Sequence, residues 1–274
     1  MVSNKAVPNR AHMMGTVPKK NFGQHFLTST HYAQKIADAI KADSKACVVE
    51  IGAGQGALSR LLIKRFPHLH MIEMDRDVIG RLTNNLAQGS WTIHEGNVLD
   101  MDFGRFGTSI HFIGNLPYNI GALIIKKVLL CGQQVASCTF MVQREVAERI
   151  AADPGSKRNG FLSIFCQFFG KPRILFHVPP GAFFPKPKVE SSVFQIEIES
   201  NLEKKLKRDK WERFFSFVDK GFLSRRKMLV NNLGTQNKCA VAGYLEKAGL
   251  SAKSRPEQLG AHEWLALYKS ELVK

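Results

Sequence analysis

Short apolar runs alternate with segments of helical periodicity from about Cys47 to Ile198. This alternation is typical of βαβ units, in which helices cover both faces of a parallel sheet. The predicted strands lie at residues 48–51, 70–73, 91–94, 111–113, 137–142, 174–177 and 193–198. The helices between them are expected to begin near Ala57, Asp77, Ile120 and Arg144. The pattern therefore predicts an α/β fold with a doubly wound, seven-stranded sheet.

The composition changes abruptly after Glu199. Residues 203–208 read EKKLKR, and the chain beyond them shows helical periodicity without strand-like runs. Trp211, Phe214 and Phe222 recur at helical spacing, which predicts a packed helical core and not a ligand site. We expect a basic disordered tail at 1–18, an α/β domain at 19–199 and a small all-helical domain at 200–274.

The 274-residue chain is strongly basic, with a formal charge of +16 and a pI of about 9.8. Such a charge attracts polyanions, so nucleic acid and an anionic membrane surface are the first partners to consider. No apolar run approaches the roughly 20 residues that are needed to cross a bilayer. Nucleic acid is therefore the favoured partner, and no membrane partner is expected.

The five cysteines are scattered and form no C-x-x-C pair. They predict reduced thiols in a cytoplasmic protein, with neither a disulfide framework nor a zinc site. The stretch before Lys19 lacks the apolar region of a secretory signal. Its basic, acid-poor composition fits either a mitochondrial transit segment or a disordered tail that touches RNA. Pro8, Gly15 and Pro18 disfavour the amphipathic helix of a transit segment, so the tail is preferred.

A glycine-rich turn follows the first predicted strand. Residues 50–58 read EIGAGQGAL, in which Gly52, Gly54 and Gly56 have the spacing G-x-G-x-G. Glycines let the backbone turn tightly and approach a ligand where a Cβ would collide. The spacing differs from the G-x-G-x-x-G of pyrophosphate-binding dehydrogenases. Taken alone, the segment also fits a turn that is tight only for packing.

The second predicted strand ends in Glu73, which in a doubly wound sheet lies beside the glycine turn. A carboxylate there can accept hydrogen bonds from both hydroxyls of a ribose. Asp75 is instead expected to cap the following helix. A ribose carboxylate without an extended phosphate-binding loop favours S-adenosylmethionine over a dinucleotide.

The strand at 111–113 leads into GNLPY at 114–118. Such a turn suits methyl transfer to the exocyclic amine of adenine. This amine is a poor nucleophile because its lone pair is conjugated with the ring. A site activates it by accepting hydrogen bonds from its N–H groups. The Asn115 side-chain oxygen and the Leu116 carbonyl suit this role, and Tyr118 offers a ring on which a base can stack. A strand-to-helix turn without chemistry is the alternative interpretation.

Six segments in chain order form a more specific pattern: residues 20–27 (KNFGQHFL), 50–58, Glu73, 115–118, 183–191 (FFPKPKVES) and 222–233 (FLSRRKMLVNNL). Together they resemble the ribosomal RNA adenine N6-dimethyltransferase family, and within it the bacterial small-subunit (16S) members. The resemblance extends over roughly residues 19–272. It implies a Rossmann-like methyltransferase fold followed by a helical RNA-binding domain.

The resemblance also implies roles for individual residues. The residues expected to hold S-adenosylmethionine are Gln24, His25, Leu27, Gly52, Gly54, Glu73, Asn97, Val98 and Asn115. The expected catalytic residues are Asn115, Leu116, Tyr118 and Phe183, and no metal is expected. Within these sets, the side chain of His25 and the backbone of Leu27 hold the methionine end of the cofactor. Phe183 forms the second face of an aromatic clamp around the base.

One position departs from the family pattern. After the third strand the family commonly has an aspartate that accepts a hydrogen bond from the cofactor's adenine amine, whereas this chain has Asn97. An asparagine oxygen can accept the same bond with less charge assistance. Asp100 is a nearby alternative in a different register, and we expect Asn97 to serve.

The implied activity is the transfer of four methyl groups to two adjacent adenosines in the 3′-terminal hairpin loop of small-subunit rRNA. The expected substrate is a late 30S assembly intermediate, and the protein is expected to be a monomer. The basic residues expected to contact phosphates are Lys204, Lys205, Lys207, Arg208, Arg225, Arg226 and Lys227. A solvated helix face is the alternative for residues 204–208 and is less expected for residues 225–227, which sit between apolar helix residues. Two alternatives stay open, a large-subunit methyltransferase and an assembly factor without catalysis. Residues 225–233 argue against the first, and the intact NLPY turn argues against the second.

Overall fold

The computed structural model describes residues 24–86, 89–234 and 238–270. The strands are β1 (Phe26–Leu27), β2 (Val48–Ile51), β3 (Leu69–Glu73), β4 (Trp91–Glu95), β5 (Ile110–Asn115), β6 (Val135–Gln143), β7 (Arg173–Val178), β8 (Phe183–Phe184) and β9 (Ser191–Glu197). The α-helices are α1 (Thr30–Asp38), α2 (Ser59–Leu62), α3 (Arg76–Asn85), α4 (Gly121–Leu130), α5 (Arg144–Ile150), α6 (Phe161–Phe169), α7 (Leu202–Lys205), α8 (Trp211–Phe222), α9 (Leu229–Asn232), α10 (Lys238–Lys247) and α11 (Ala261–Lys269). The predicted tail at 1–18 lies outside the described residues.

Seven strands form the main sheet, in the order β4-β3-β2-β5-β6-β9-β7. All seven predicted strands are confirmed, and α2 to α5 begin within two residues of their predicted starts. The pairs from β4 to β6 are parallel, but β9 runs antiparallel to both β6 and β7. The prediction of a wholly parallel sheet is therefore wrong at β9. The chain passes from β7 to β9 without a crossover helix, and parallel neighbours require such a crossover.

Both faces of the sheet are covered, as a doubly wound fold requires. Successive residues of β2 point to opposite faces, so Val48 belongs to one buried cluster while Val49 and Ile51 belong to the other. Helices α1 to α3 contribute to the Val48 cluster, and α4 to α6 contribute to the opposite one. This arrangement confirms the predicted fold class.

The helix α6 has no counterpart among the predicted elements. Its sequence, FLSIFCQFF, is apolar around most of its circumference, so it lacks the polar stripe by which an amphipathic helix is recognised. Its position explains this composition, because one side contacts the sheet and the other contacts the C-terminal helices. Trp211 of α8 lies over Phe168 and Phe169, with ring centroids 5.6 and 5.2 Å apart.

The chain after residue 200 is helical in its described part, as predicted. Trp264 of α11 is completely buried and, with Phe214, joins the same hydrophobic cluster as α6. The helical segment is thus built onto the α/β part through a shared aromatic core. The domain boundary near Ser200 stays a prediction. Within the described residues, no helix has the length and apolar character that a membrane span requires.

Candidate active site

A cavity of about 370 Å³ opens at the carboxyl ends of the parallel strands β2, β3 and β5. In doubly wound folds this edge is where ligands bind, and the size suits a small molecule. The cavity is lined by residues 24–27, 50–55, 57–58, 72–75, 96–99, 115–120 and 124. Every predicted site residue except Phe183 therefore lies on its wall.

The glycine turn forms the floor beside β2. Gly52 and Gly54 have φ angles of +73° and +52°, a region that side chains with a Cβ rarely adopt. A Cβ on Gly54 would lie 3.2 Å from the Phe26 ring, and one on Gly52 would lie 3.4 Å from the Asn115 carbonyl oxygen. The glycines thus allow both a special backbone conformation and a close approach.

The carboxylate of Glu73 ties the end of β3 to this turn. It accepts hydrogen bonds from the backbone N–H groups of Gly54, Met74 and Asp75 at 3.0, 2.9 and 3.1 Å. Burial raises the pKa of Glu73, and these three bonds oppose the rise. Asp75 accepts from the N–H of Asp77 at 3.1 Å, which confirms its predicted role as the N-cap of α3.

A second carboxyl group lies below the glycine turn. Glu50 is 1% exposed and accepts a hydrogen bond from the Ser59 hydroxyl at 2.6 Å. Burial raises the pKa of Glu50 to about 8, with a further rise from the charge of Glu73. The cavity wall therefore carries two acidic groups, Glu50 and Glu73, among mostly apolar residues.

Asn115 is held by the β1 segment. Its Nδ2 donates to the His25 carbonyl oxygen at 2.8 Å, which fixes the orientation of the amide. Its Oδ1 is buried and meets no donor in the described part of the chain. An unsatisfied buried acceptor costs about 1–3 kcal/mol. This oxygen is therefore prepared to accept a hydrogen bond from a ligand N–H group.

The ring of Tyr118 is fixed at two points. Its hydroxyl lies 2.5 Å from the Ser191 hydroxyl, and its centroid is 5.1 Å from that of His25. Burial raises the pKa of Tyr118, partly offset by the bond with Ser191. The His25 Nδ1 donates to the Pro185 carbonyl oxygen at 2.8 Å, so His25 also joins the β8 segment to the cavity.

Phe183 does not line the cavity, although a ring that clamps the base is expected to do so. It is 4% exposed, pairs with Leu27 in the small β1–β8 sheet and packs in the same hydrophobic cluster. Its neighbour Phe184 is 50% exposed. The base-clamp role of Phe183 rests on the family resemblance alone.

Two further residues shape the cavity without having been predicted. Phe26 lines it and lies against Gly54. It belongs to the motif at residues 20–27, but the sequence assigns it no separate role, because a phenylalanine there also suits a core position. Gly114 lets β5 approach β2, because a Cβ there would overlap the Ile51 carbonyl oxygen. A glycine inside a predicted strand is the available signal for such an approach.

The predicted phosphate-binding residues divide into two groups. Lys205 donates to the Phe168 carbonyl, Arg208 to the Leu130 carbonyl, and Arg225 to the carbonyls of Lys157 and Asn159. These three therefore attach the segment after residue 200 to the α/β part. Their predicted contacts with RNA phosphates stay a prediction. All residues of the set except Lys205 are exposed. Within the described residues, the side chains of Lys204, Lys207, Arg226 and Lys227 make no hydrogen bond or ion pair, so these four are the ones left available to RNA phosphates.

The residues present fit S-adenosylmethionine. The glycines with left-handed φ, the carboxylate at the end of β3 and the Asn115 acceptor match a nucleoside with a free ribose diol. Residues 24–86, 89–234 and 238–270 contain no group of three or more His, Cys, Asp or Glu side chains able to hold a metal ion. The fold and the cavity define the class as a Rossmann-like, S-adenosylmethionine-dependent methyltransferase.

Comparison with known proteins narrows this class. The family model described as ribosomal RNA adenine dimethylase matches residues 16–271, and the chain belongs to this family. The ribosomal RNA small subunit methyltransferase A of Xanthomonas campestris pv. campestris is 41% identical over 258 residues, covering 93% of this chain and 97% of the relative. The protein of that name from Neisseria gonorrhoeae is 35% identical over 250 residues, covering 91% and 94%. The chain is thus an S-adenosylmethionine-dependent rRNA adenine dimethyltransferase.

Solved structures support the fold. A dimethyladenosine transferase from Plasmodium falciparum superposes with a TM-score of 0.77 at 22% identity, covering 89% of this chain and 96% of that one. The 23S rRNA methyltransferase ErmE gives a TM-score of 0.72 at 22% identity, with coverage of 89% and 98%. The seven-stranded sheet and the helical segment together are therefore a shared architecture.

Proposed function

We propose that this enzyme methylates N6 of two adjacent adenosines in the 3′-terminal hairpin loop of 16S rRNA, giving N6,N6-dimethyladenosine at both. The substrate is a late 30S assembly intermediate, and the enzyme acts as a cytoplasmic monomer. The similarity to relatives named for the small ribosomal subunit supports this choice of RNA. Bases in a hairpin loop are also easier to extract from their stack than bases in a duplex.

The buried Oδ1 of Asn115 is the observation that carries the proposal. Accepting an N–H from the adenine amine would satisfy this oxygen and, together with the Leu116 carbonyl, turn the nitrogen lone pair out of the ring plane. The bond from Nδ2 to the His25 carbonyl prevents the amide from turning its donor side toward the base. S-adenosylmethionine supplies the activated methyl group when it is bound.

Tyr118 supplies one stacking surface for the base, because its ring lines the cavity and is held by Ser191 and His25. Phe183 is proposed as the opposite surface on the resemblance alone. Each stacking contact contributes about 1–3 kcal/mol to base capture. The basic residues Arg226 and Lys227 are exposed and available to RNA phosphates.

The substitution Asn115→Ala tests the proposal. Since the acceptor acts mainly on the transition state, we expect the rate at saturating substrate to fall about 10²–10³-fold while RNA binding changes much less. Asn84→Ala on the exposed surface of α3 is a matched control and should leave the rate unchanged.

Mass spectrometry of 16S rRNA from cells that lack the gene should show the loss of dimethyladenosine, restored by the unsubstituted gene and not by Asn115→Ala. Unchanged rRNA in the deletion strain would refute the proposed substrate. A near-normal rate for Asn115→Ala would refute its role while leaving the substrate assignment in place.

A further inference from the structure

The segment at residues 184–190 forms a rim beside the cavity. At one end, the Pro185 carbonyl accepts a hydrogen bond from the cavity-lining His25 at 2.8 Å. At the other end, Ser191 follows the segment and bonds to Tyr118 at 2.5 Å. The rim is thus attached to both His25 and Tyr118, whose rings lie next to each other. It therefore lies beside the ring on which the target base is proposed to stack.

The two adjacent phenylalanines project to opposite faces of the small sheet, and only one of them is exposed. Phe184 lies opposite Phe26, and Phe183 lies opposite Leu27, in the antiparallel β1–β8 pair. Side chains directly opposite each other project to the same face. Phe184 therefore shares a face with Phe26 and is 50% exposed, whereas Phe183 shares a face with Leu27 and is 4% exposed. Both Phe26 and Leu27 line the cavity, so the exposed Phe184 ring lies next to a cavity-lining residue.

The rim exposes a surface that suits single-stranded RNA. Phe184 and Val189 are 50% and 45% exposed, and Lys186 and Lys188 are exposed beside them. Aromatic rings bind bases by stacking, and lysines between them bind the phosphates.

The charge and the backbone of the rim support the same partner. The single carboxylate of the segment, Glu190, is neutralised by an ion pair with Arg144 at 2.7 Å, so the rim is net positive. Pro185 and Pro187 restrict the backbone, which lowers the entropy that is lost when the rim binds RNA.

We propose that the rim binds the nucleotide adjacent to the target adenosine, with its base stacked on Phe184 and its phosphates contacted by Lys186 and Lys188. This inference rests on the proposed function, which places two target adenosines side by side. Each adenosine then becomes the neighbour while the other occupies the cavity. The rim is a specificity site for the flanking base, separate from the clamp around the methylated base.

The test uses small subunits reconstituted from transcribed 16S rRNA with the two adjacent adenosines intact, or with either one replaced by uridine. Uridine stacks more weakly than adenosine, so the unsubstituted enzyme should bind the single replacements about fivefold less tightly. Phe184→Ala should bind the intact particle about fivefold less tightly and should show no further loss with uridine. Phe184→Trp should retain the preference for adenosine.

Leu130→Ala is the matched control, because Leu130 is 42% exposed at the end of α4 farthest from the catalytic turn. It should keep the preference of the unsubstituted enzyme. If Phe184→Ala keeps that preference too, the stacking role is overturned while the proposed function stands. If the unsubstituted enzyme neither binds nor methylates the particles, the proposed function itself fails. Binding of S-adenosylhomocysteine to each variant verifies the fold.

Discussion

Asn97 lines the cavity with an amide that is fixed at both ends. Its Nδ2 donates to Asp100 Oδ2 at 3.0 Å, and its Oδ1 accepts from the Leu99 N–H at 3.0 Å. A carbonyl oxygen has two lone pairs, so Oδ1 can accept a second bond from a cofactor amine. Asp100 does not line the cavity and would act only through Asn97. The two positions that appeared as alternatives in the sequence are therefore linked by a hydrogen bond, and we expect Asp100 to position the Asn97 amide.

Calorimetry with S-adenosylhomocysteine tests this pairing without requiring turnover. We expect Asn97→Ala to weaken binding about three- to tenfold, the effect of one lost hydrogen bond, and Asp100→Ala to weaken it less. In the Asn97→Ala background, Asp100→Ala should have no further effect, because the residue it positions is gone. Additive losses would show that Asp100 contacts the cofactor independently.

At the scale of elements, the strands could be predicted because each is a short buried run with helical segments on both sides. Glu73, Asn115 and Tyr118 could be placed together for the same reason, since the ends of parallel strands meet at one edge. The direction of β9 could not be predicted, because its apolar residues suit either direction. Phe183 and Phe184 are adjacent phenylalanines, and only the folded structure shows that the first is buried and the second exposed.

The segment at 223–228, between α8 and α9, shows that the role of an individual basic residue also cannot be predicted from the sequence. Arg225, Arg226 and Lys227 look equivalent in sequence, but Arg225 donates to the carbonyls of Lys157 and Asn159 at 2.6 and 2.7 Å. We expect Arg225→Ala to lower the free energy of unfolding by about 1 kcal/mol, a value reduced by its exposure. The salt dependence of RNA binding should stay the same in that variant.

Substituting Arg226 and Lys227 together by alanine should change RNA binding and not stability. Stability should be unchanged, while the slope of log Kd against log salt should decrease by about 0.7 for each phosphate contact that is lost. Denaturant titrations and filter binding at several salt concentrations measure the two quantities. A flattened slope in Arg225→Ala with unchanged stability would contradict this division of roles.

At the scale of the whole molecule, the enzyme maintains a buried acidic group within a chain of net charge +16. Glu50 lies in β2, next to the last residue of this strand, and accepts a hydrogen bond from the Ser59 hydroxyl. Among the described residues, no cationic side chain forms an ion pair with it. Burial raises the pKa of Glu50 to about 8 from an ordinary value of 4.5. Between these values the folded chain holds a proton that the unfolded chain has released. The free energy of unfolding therefore decreases as pH rises through this range.

The substitution Glu50→Gln removes this pH dependence while keeping a side chain that can bond to Ser59. Without cofactor, the variant should melt at a higher temperature than the unsubstituted enzyme at pH 8.5, and the difference should shrink toward pH 5, where both side chains are neutral in the folded state. Glu203→Gln, at an exposed position of α7, is the control and should follow the unsubstituted enzyme at both pH values. Thermal melts from pH 5 to 8.5 provide the measurement. A difference between Glu50→Gln and the unsubstituted enzyme that stays constant across this range would mean that folding does not raise the pKa of Glu50.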